Sequence, residues 1–249
     1  PFDSLLDENN EFMLNSHLII RSNSILKLVN TDEKTLWKKD KPLLITGEIE
    51  YENNQFSNRR VANYGELKNL KWSKAEMQKI NNTFLNSKIS SNLTETAFKN
   101  LNLNDFSGIH FSVHGISIFE DFNKSALFLS SDKENDGVLT IEELKNIDFS
   151  SIDFVFLSAC ETNVGKRYSN LYPVTLQSVF HQSGVNSTIS TLWSIEDEAT
   201  SYFSEYFYKL YNETDFRFLA LHRAKQLFIK ENPQYKNPYY WSAFTLDGF

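Results

Sequence analysis

Short apolar runs alternate with amphipathic segments along this chain, and that alternation favours an α/β fold with helices packed on a central sheet. The run at residues 154–157 is apolar at every position, as in a parallel strand covered on both faces. Residues 126–129 and 138–141 predict a short hairpin around Asp136 and Gly137. The other predicted strands are 43–47, 109–114, 185–192 and 241–246.

Helices are predicted where apolar residues recur with helical spacing behind a start signal. Ser73 and Glu76 have the spacing of a capping box, so we expect a helix that begins at Ser73. Thr94 predicts a second helix start, and Gly184 predicts a helix end. The remaining predicted helices are 174–182, 197–211 and 215–229.

Composition excludes several classes of protein. The 249 residues carry a formal net charge of −7 without a basic cluster, so direct nucleic-acid binding is not expected. No run approaches the roughly 18 apolar residues of a membrane span, and the single cysteine cannot form an internal disulfide. We therefore expect a cytoplasmic protein without membrane contact. No linker interrupts the chain, which predicts one domain over residues 1–249.

The single cysteine, Cys160, follows the most buried predicted strand. His114 ends another predicted strand 46 residues earlier, and Gly115 comes next. In parallel sheets, ligand sites collect at the carboxyl ends of the strands. An imidazole there can ionise a thiol, and the backbone N–H groups of Gly115 and Cys160 could form an oxyanion hole contributing about 3–4 kcal/mol. The alternative is that Cys160 fills a buried apolar space, as free cysteines often do.

Several segments resemble, in order, the motifs of one family. Residues 106–115 resemble an HxxxHG segment, and residues 156–165 resemble LSACETGxG, with Asn163 in place of a glycine. Residues 191–200 are similar to LWxVxDxAT, residues 239–246 to YYWAAFxLxG, and residues 1–6 to LPFxAL. On these motifs the chain is identified as a member of the CHAT domain family of caspase-like, separase-related cysteine peptidases of clan CD.

The resemblance implies a caspase-like three-layer sandwich with a mostly parallel central sheet. It implies that Cys160 is the nucleophile, that His114 is its acid/base partner, and that His110 is not catalytic. It also implies that the first strand of the domain lies before Pro1, and that the chain is the C-terminal part of a longer protein.

Asp197 is a candidate for substrate binding. In the related separases, the aspartate after a similar Leu-Trp segment lies in the pocket for the basic residue before the scissile bond. The resemblance therefore implies that Asp197 binds a substrate Arg or Lys. The alternative is a helix N-cap, because Asp197 lies three residues before Thr200 at a predicted helix start.

The expected function is that of a cysteine endopeptidase that cleaves protein substrates with a His114–Cys160 dyad and needs no cofactor. The family resemblance implies a regulatory domain or activating partner, and a role in bacterial antiviral defence or cell death. The alternative function is that of a non-catalytic pseudo-peptidase that serves as an interaction or assembly module.

Two motifs resemble metal-binding sites, but we expect neither of them to bind a metal ion. His110 and His114 have the spacing of a helical zinc pair, but four residues of strand span roughly 13 Å. Residues 132–143 nearly match an EF-hand loop, but a strand-like run precedes them where an EF-hand has a helix.

Overall fold

A computed structural model of the chain provides the structure. The residues that it describes are 1–20, 40–51, 67–84, 86–116, 118, 122–158, 176–214 and 216–248.

The centre of the fold is a six-stranded sheet. Its strands are β1 (Leu43–Gly47), β2 (Ser87–Ser91), β3 (Gly108–Ser112), β7 (Phe154–Leu157), β8 (Ser187–Thr191) and β9 (Phe244–Gly248). Their spatial order is β2-β1-β3-β7-β8-β9, and every neighbouring pair is parallel except β8 with β9. The predicted α/β fold with a mostly parallel sheet is confirmed.

A smaller antiparallel sheet follows β3. It consists of β4 (Gly115–Ile116), β5 (Ala126–Phe128) and β6 (Val138–Thr140), in that order. The hairpin interpretation of residues 132–143 is confirmed, because a strand precedes the loop. The carboxylate of Asp132 accepts hydrogen bonds from the Thr96 hydroxyl and from two backbone N–H groups within its own loop.

Helices cover both faces of the central sheet. In the described ranges they are α1 (Ser73–Thr83), α2 (Glu95–Lys99), α3 (Ile141–Lys145), α4 (Leu176–Gln182), α5 (Asp197–Thr214), α6 (Arg217–Glu231) and α7 (Pro238–Trp241). Short 3-10 turns occupy Phe2–Ser4, Met13–Asn15, Leu103–Asp105, Phe122–Lys124 and Pro233–Tyr235. Among these helices, none is both long enough and apolar enough to cross a lipid bilayer.

The alternating side chains of the strands divide the core into two layers. On β7, Val155 packs with α2, α3 and α4 on one face, and Phe156 packs with α1, α5 and α6 on the other. Both side chains are fully buried. The three layers follow from this double burial, because a strand that is apolar on both faces needs helices on both sides.

The end of the chain differs from its prediction. A strand was expected over 241–246, but Trp241 ends helix α7 and β9 begins at Phe244. The reason is local: the Asn237 side chain caps this helix on the Tyr239 N–H, and Pro238 occupies its first position. Aromatic residues are typical of strands, but here the capping signal decides the local structure.

Candidate active site

A cavity of about 410 Å³ lies at the carboxyl ends of the parallel strands. Its walls come from residues 68–71, the first turn of α1, the ends of β3, β7 and β8, and the start of α5. This is the position at which open parallel sheets place their ligand sites. The titratable side chains in its lining are Lys68, Lys71, Glu76, His114 and Asp197.

His114 lies just beyond β3 and is 7% exposed. Its ring nitrogen Nε2 lies 2.7 Å from the backbone carbonyl oxygen of Lys68. A carbonyl can only accept, so Nε2 carries a proton and donates it. In the neutral imidazole Nδ1 is therefore the basic nitrogen, and it is the atom that could accept a proton from a thiol.

The backbone at His114 is fixed by Tyr51. The His114 N–H donates to the Tyr51 hydroxyl at 2.9 Å, and this hydroxyl donates to the carbonyl oxygen of Phe128 at 2.9 Å. The Tyr51 and His114 rings also pack, with centroids 4.7 Å apart. Burial raises the pKa of Tyr51 far above its usual value of 10.0, so the residue stays a neutral phenol and keeps its proton to donate.

Gly115 and Cys160 were predicted to form the oxyanion hole. Gly115 begins β4 directly after His114 and pairs with Leu127 of β5. Cys160 lies outside the described residues, so its place in the site stays a prediction. The chain before it is defined as far as Ser158, which follows β7 and lines the cavity.

Helix α1 begins at Ser73 as predicted, but the predicted capping box is wrong. The Ser73 hydroxyl accepts from the Glu48 N–H at 2.8 Å and lies 2.9 Å from the Ser112 carbonyl oxygen. The Glu76 side chain points into the core and not back to the helix start. Tertiary partners thus replace the local hydrogen bonds of a capping box.

A glycine allows this helix start to come close to the sheet. A Cβ on Gly47, at the end of β1, would lie 2.5 Å from the Ser73 hydroxyl oxygen and 2.6 Å from the Ser112 carbonyl oxygen. Atoms do not approach so closely without contact strain. The absence of a side chain at Gly47 therefore lets α1 pack directly against the ends of β1 and β3.

Glu76 is the buried charge of the site, although its spacing from Ser73 predicted only a capping box. The residue is 3% exposed. Its Oε1 accepts from the Ser158 hydroxyl at 2.6 Å and from the Ser204 hydroxyl at 2.8 Å. Its Oε2 accepts from the Ser112 hydroxyl at 2.5 Å. The sequence contains a signal of this burial, because Glu76 lies four residues before Ile80 and therefore on the apolar face of the helix.

His110 is the histidine beside this carboxylate. Its Nε2 lies 3.3 Å from Glu76 Oε1, and its Nδ1 lies 3.2 Å from the Tyr208 hydroxyl. Burial by itself would raise the pKa of Glu76, but His110 and the serine hydroxyls outweigh it and hold the pKa below its usual 4.5. Glu76 is therefore a carboxylate at neutral pH.

Asp197 lines the cavity as the first residue of α5. Its Oδ2 accepts from the Trp72 backbone N–H, 3.0 Å away at the start of α1. The predicted N-cap hydrogen bond between the Asp197 carboxylate and the Thr200 N–H does not form. The Thr200 N–H donates instead to the Glu196 carbonyl oxygen at 3.0 Å. Asp197 thus connects the amino-terminal ends of two helices, α1 and α5.

The two histidines of the zinc-like spacing have different partners. His110 is fully buried under Glu76 and Tyr208, whereas His114 contacts Tyr51 and Lys68. Across the described ranges, no group of three or more His, Cys, Asp or Glu side chains is arranged to hold a metal ion.

Comparison with known proteins agrees with this architecture. The sequence profile of the CHAT domain matches residues 1–249, and the chain therefore belongs to the CHAT domain family. Among curated proteins, no sequence matches.

Solved structures of caspase-like proteins are similar to this chain. The separase of Saccharomyces cerevisiae, in its complex with securin, superposes with a TM-score of 0.57 at 16% identity, covering 97% of this chain and 14% of that chain. The Arg-specific cysteine proteinase gingipain R matches with a TM-score of 0.45 at 10% identity, covering 88% of this chain and 47% of that chain. The chain thus corresponds to a small part of separase.

Proposed function

We propose that this chain is a peptidase domain of a longer protein, a cysteine endopeptidase in which His114 activates Cys160. The observation that carries the proposal is the orientation of His114. The bond from Nε2 to the Lys68 carbonyl makes Nδ1 the basic nitrogen, beside a cavity whose wall includes Ser158, two residues before Cys160. The caspase-like fold supports the same class of reaction.

The proposed mechanism is acyl transfer. His114 Nδ1 takes the proton of the Cys160 thiol, and the thiolate attacks the carbonyl carbon of the scissile peptide bond. The backbone N–H groups of Gly115 and Cys160 stabilise the oxyanion. The C–N bond then breaks, His114 protonates the leaving amine, and water hydrolyses the thioester to regenerate the thiol.

One carboxylate of the cavity, that of Asp197, supports a preference for Arg or Lys before the scissile bond. The other carboxylate in the lining, that of Glu76, already accepts from serine hydroxyls. Asp197 is oriented by the Trp72 N–H through Oδ2, and carboxylate oxygens have further lone pairs with which to accept from a guanidinium. Asp197 is therefore the proposed contact for the basic side chain.

Regulation is the third part of the proposal. The separase structure that this chain resembles contains securin as a partner, and this chain covers only 14% of that separase. We infer that the domain is likewise controlled by a regulatory domain or a partner. The family resemblance extends this inference to a bacterial defence or cell-death pathway.

The test is labelling with an arginyl chloromethylketone, using this chain and any longer natural polypeptide that contains it. Because the chain has one cysteine, mass spectrometry assigns the modified residue directly. We expect Cys160 to be labelled. The His114→Ala variant should not be labelled, and its unfolding transition should show that its fold is intact.

Two controls complete this test. An aspartyl chloromethylketone of the same length should label poorly, which separates recognition from general thiol reactivity. If Cys160 stays unlabelled in the native protein but reacts with iodoacetamide in denaturant, the peptidase proposal is wrong and the assembly-module alternative is favoured.

A further inference from the structure

We propose that Glu76 is a positioning residue, which sets the distance between the two members of the catalytic dyad. This inference rests on the proposed function, because it concerns the dyad of that same site. The juxtaposition that carries it is one buried carboxylate that bridges the ends of two neighbouring strands, β3 and β7.

The two bridged residues have the same place relative to the dyad. Ser112 is the last residue of β3 and lies two residues before His114. Ser158 follows β7 directly and lies two residues before Cys160. Their hydroxyls donate to opposite oxygens of Glu76, at 2.5 Å and 2.6 Å. The Glu76 carboxylate therefore holds Ser112 and Ser158 together, and each of these serines lies two residues before a member of the dyad.

The chemistry of the bridge requires an ionised carboxylate. Three serine hydroxyls donate to Glu76, and only a carboxylate offers acceptor positions on both oxygens without a donor of its own. The His110 ring also lies against this carboxylate, with Nε2 3.3 Å from Oε1. An amide at position 76 would place an NH₂ group against one of the serine hydroxyls.

A serine on a different element gives a matched control. Ser204 lies on α5 and donates to the same Oε1 as Ser158, at 2.8 Å and 2.6 Å respectively. Both serines are buried, but α5 carries neither member of the dyad. If Glu76 only stabilised the core, loss of either hydroxyl would have the same consequence.

The experiment compares Ser158→Ala with Ser204→Ala, using turnover of an arginyl peptide and the pH profile of Cys160 alkylation by iodoacetamide. Ser158→Ala should lower kcat about 10- to 100-fold at nearly constant KM, since a misplacement of about 1 Å costs on the order of 100-fold. It should also shift the alkylation profile to higher pH. Ser204→Ala should leave both unchanged, and Ser158→Thr, which keeps a hydroxyl, should recover kcat.

Equal kcat and equal alkylation profiles in Ser158→Ala and Ser204→Ala would overturn the inference. Failure of the proposed function has a different signature: the wild type then turns over no peptide, while the alkylation profile still differs between the two serine variants if Glu76 positions Cys160.

A second pair of variants covers the case in which Ser158→Ala does not fold. Glu76→Gln removes the bridge, and Glu95→Gln neutralises another buried glutamate, one that binds Lys99 and the Gly137 N–H away from the cavity. The inference requires that only Glu76→Gln lowers kcat and shifts the alkylation profile. Equal effects of the two variants would contradict it.

Discussion

The backbone N–H of His114 donates to the hydroxyl of Tyr51, at a distance of 2.9 Å. Because Tyr51 binds the backbone and not the imidazole nitrogens, the ring remains available to the Lys68 carbonyl through Nε2 and to a proton through Nδ1. The two residues are 63 positions apart in the chain. The orientation of the candidate base is thus set by a distant phenol and a distant carbonyl.

Tyr51→Phe should weaken both the fold and the site. The substitution removes the hydroxyl to which the buried His114 N–H donates, and an unsatisfied buried polar group costs about 1–3 kcal/mol. We expect a lower free energy of unfolding in urea and a lower kcat at similar KM. Tyr206→Phe removes a hydroxyl that accepts from the Asn232 side-chain amide, and it should leave kcat unchanged. Wild-type stability and kcat in Tyr51→Phe would refute the role given to Tyr51.

Asp197→Asn should reduce the preference for a basic residue before the scissile bond. An asparagine keeps an oxygen that can accept from the Trp72 N–H but removes the charge, and a hydrogen bond to a charged group contributes about 1.5–3 kcal/mol. We therefore expect the ratio of kcat/KM for Arg over norleucine substrates to fall about 10- to 100-fold. Glu196→Gln, a neutralised and exposed neighbour, should keep the ratio. An unchanged ratio in Asp197→Asn would assign the carboxylate to helix packing alone.

The ion pair between Asp3 and Lys225 should stabilise the attachment of the amino-terminal turn to α6. Both side chains are buried, and they contact each other directly. Removing one member of a buried pair leaves the other charge uncompensated, at a cost of about 3–5 kcal/mol. We expect Asp3→Asn to lower the unfolding free energy by that order, and Asp3→Leu combined with Lys225→Met to restore much of it. Lys230→Met, at an exposed pair, should have little effect.

The ionised state of Glu76 predicts how its contribution to the unfolding free energy depends on pH. A carboxyl whose folded-state pKa lies below its unfolded value of about 4.5 stabilises the fold above that pH, and this contribution is lost as the pH falls through the folded-state pKa. The difference in unfolding free energy between the wild type and Glu76→Gln should therefore be constant near neutrality and decrease in acid. Urea titrations from about pH 3 to pH 7 would measure it.

For Glu95→Gln, the difference in unfolding free energy from the wild type should change with pH in the opposite direction. Burial raises the pKa of Glu95 and outweighs the attraction of Lys99, so its contribution is largest in acid and declines as the pH rises. Parallel curves for the two glutamine variants would contradict at least one of these assignments, and the direction of the curves would show which one.

Local patterns predicted most of the sheet correctly. The run at 154–157 is β7 with the expected bounds, and the run at 109–114 overlaps β3, which spans Gly108–Ser112. Side-chain period and apolar content are properties of neighbouring residues, so they can be interpreted without knowledge of the fold. The same reasoning placed His114 at the carboxyl end of a parallel strand, and in the structure it lies two residues after β3.

Ser73 and Glu76 show that local spacing does not predict which hydrogen bonds a side chain forms. Their spacing matched a capping box, and the helix does begin at Ser73, but each side chain has tertiary partners. A spacing motif states which local bonds could form. It does not contain the competing partners that a sheet and a second helix bring to the same atoms.

The sequence by itself determined the α/β layers and the bounds of β7, and it predicts the candidate dyad of His114 and Cys160, because these depend on residue type and short-range spacing. The tertiary structure alone decided that Glu76 receives hydrogen bonds from Ser112 and Ser158, 36 and 82 residues away. It also decided that Asp197 accepts from Trp72, 125 residues away. The physical reason is that a buried carboxylate must find donors wherever packing places them, and only the complete fold specifies which donors those are.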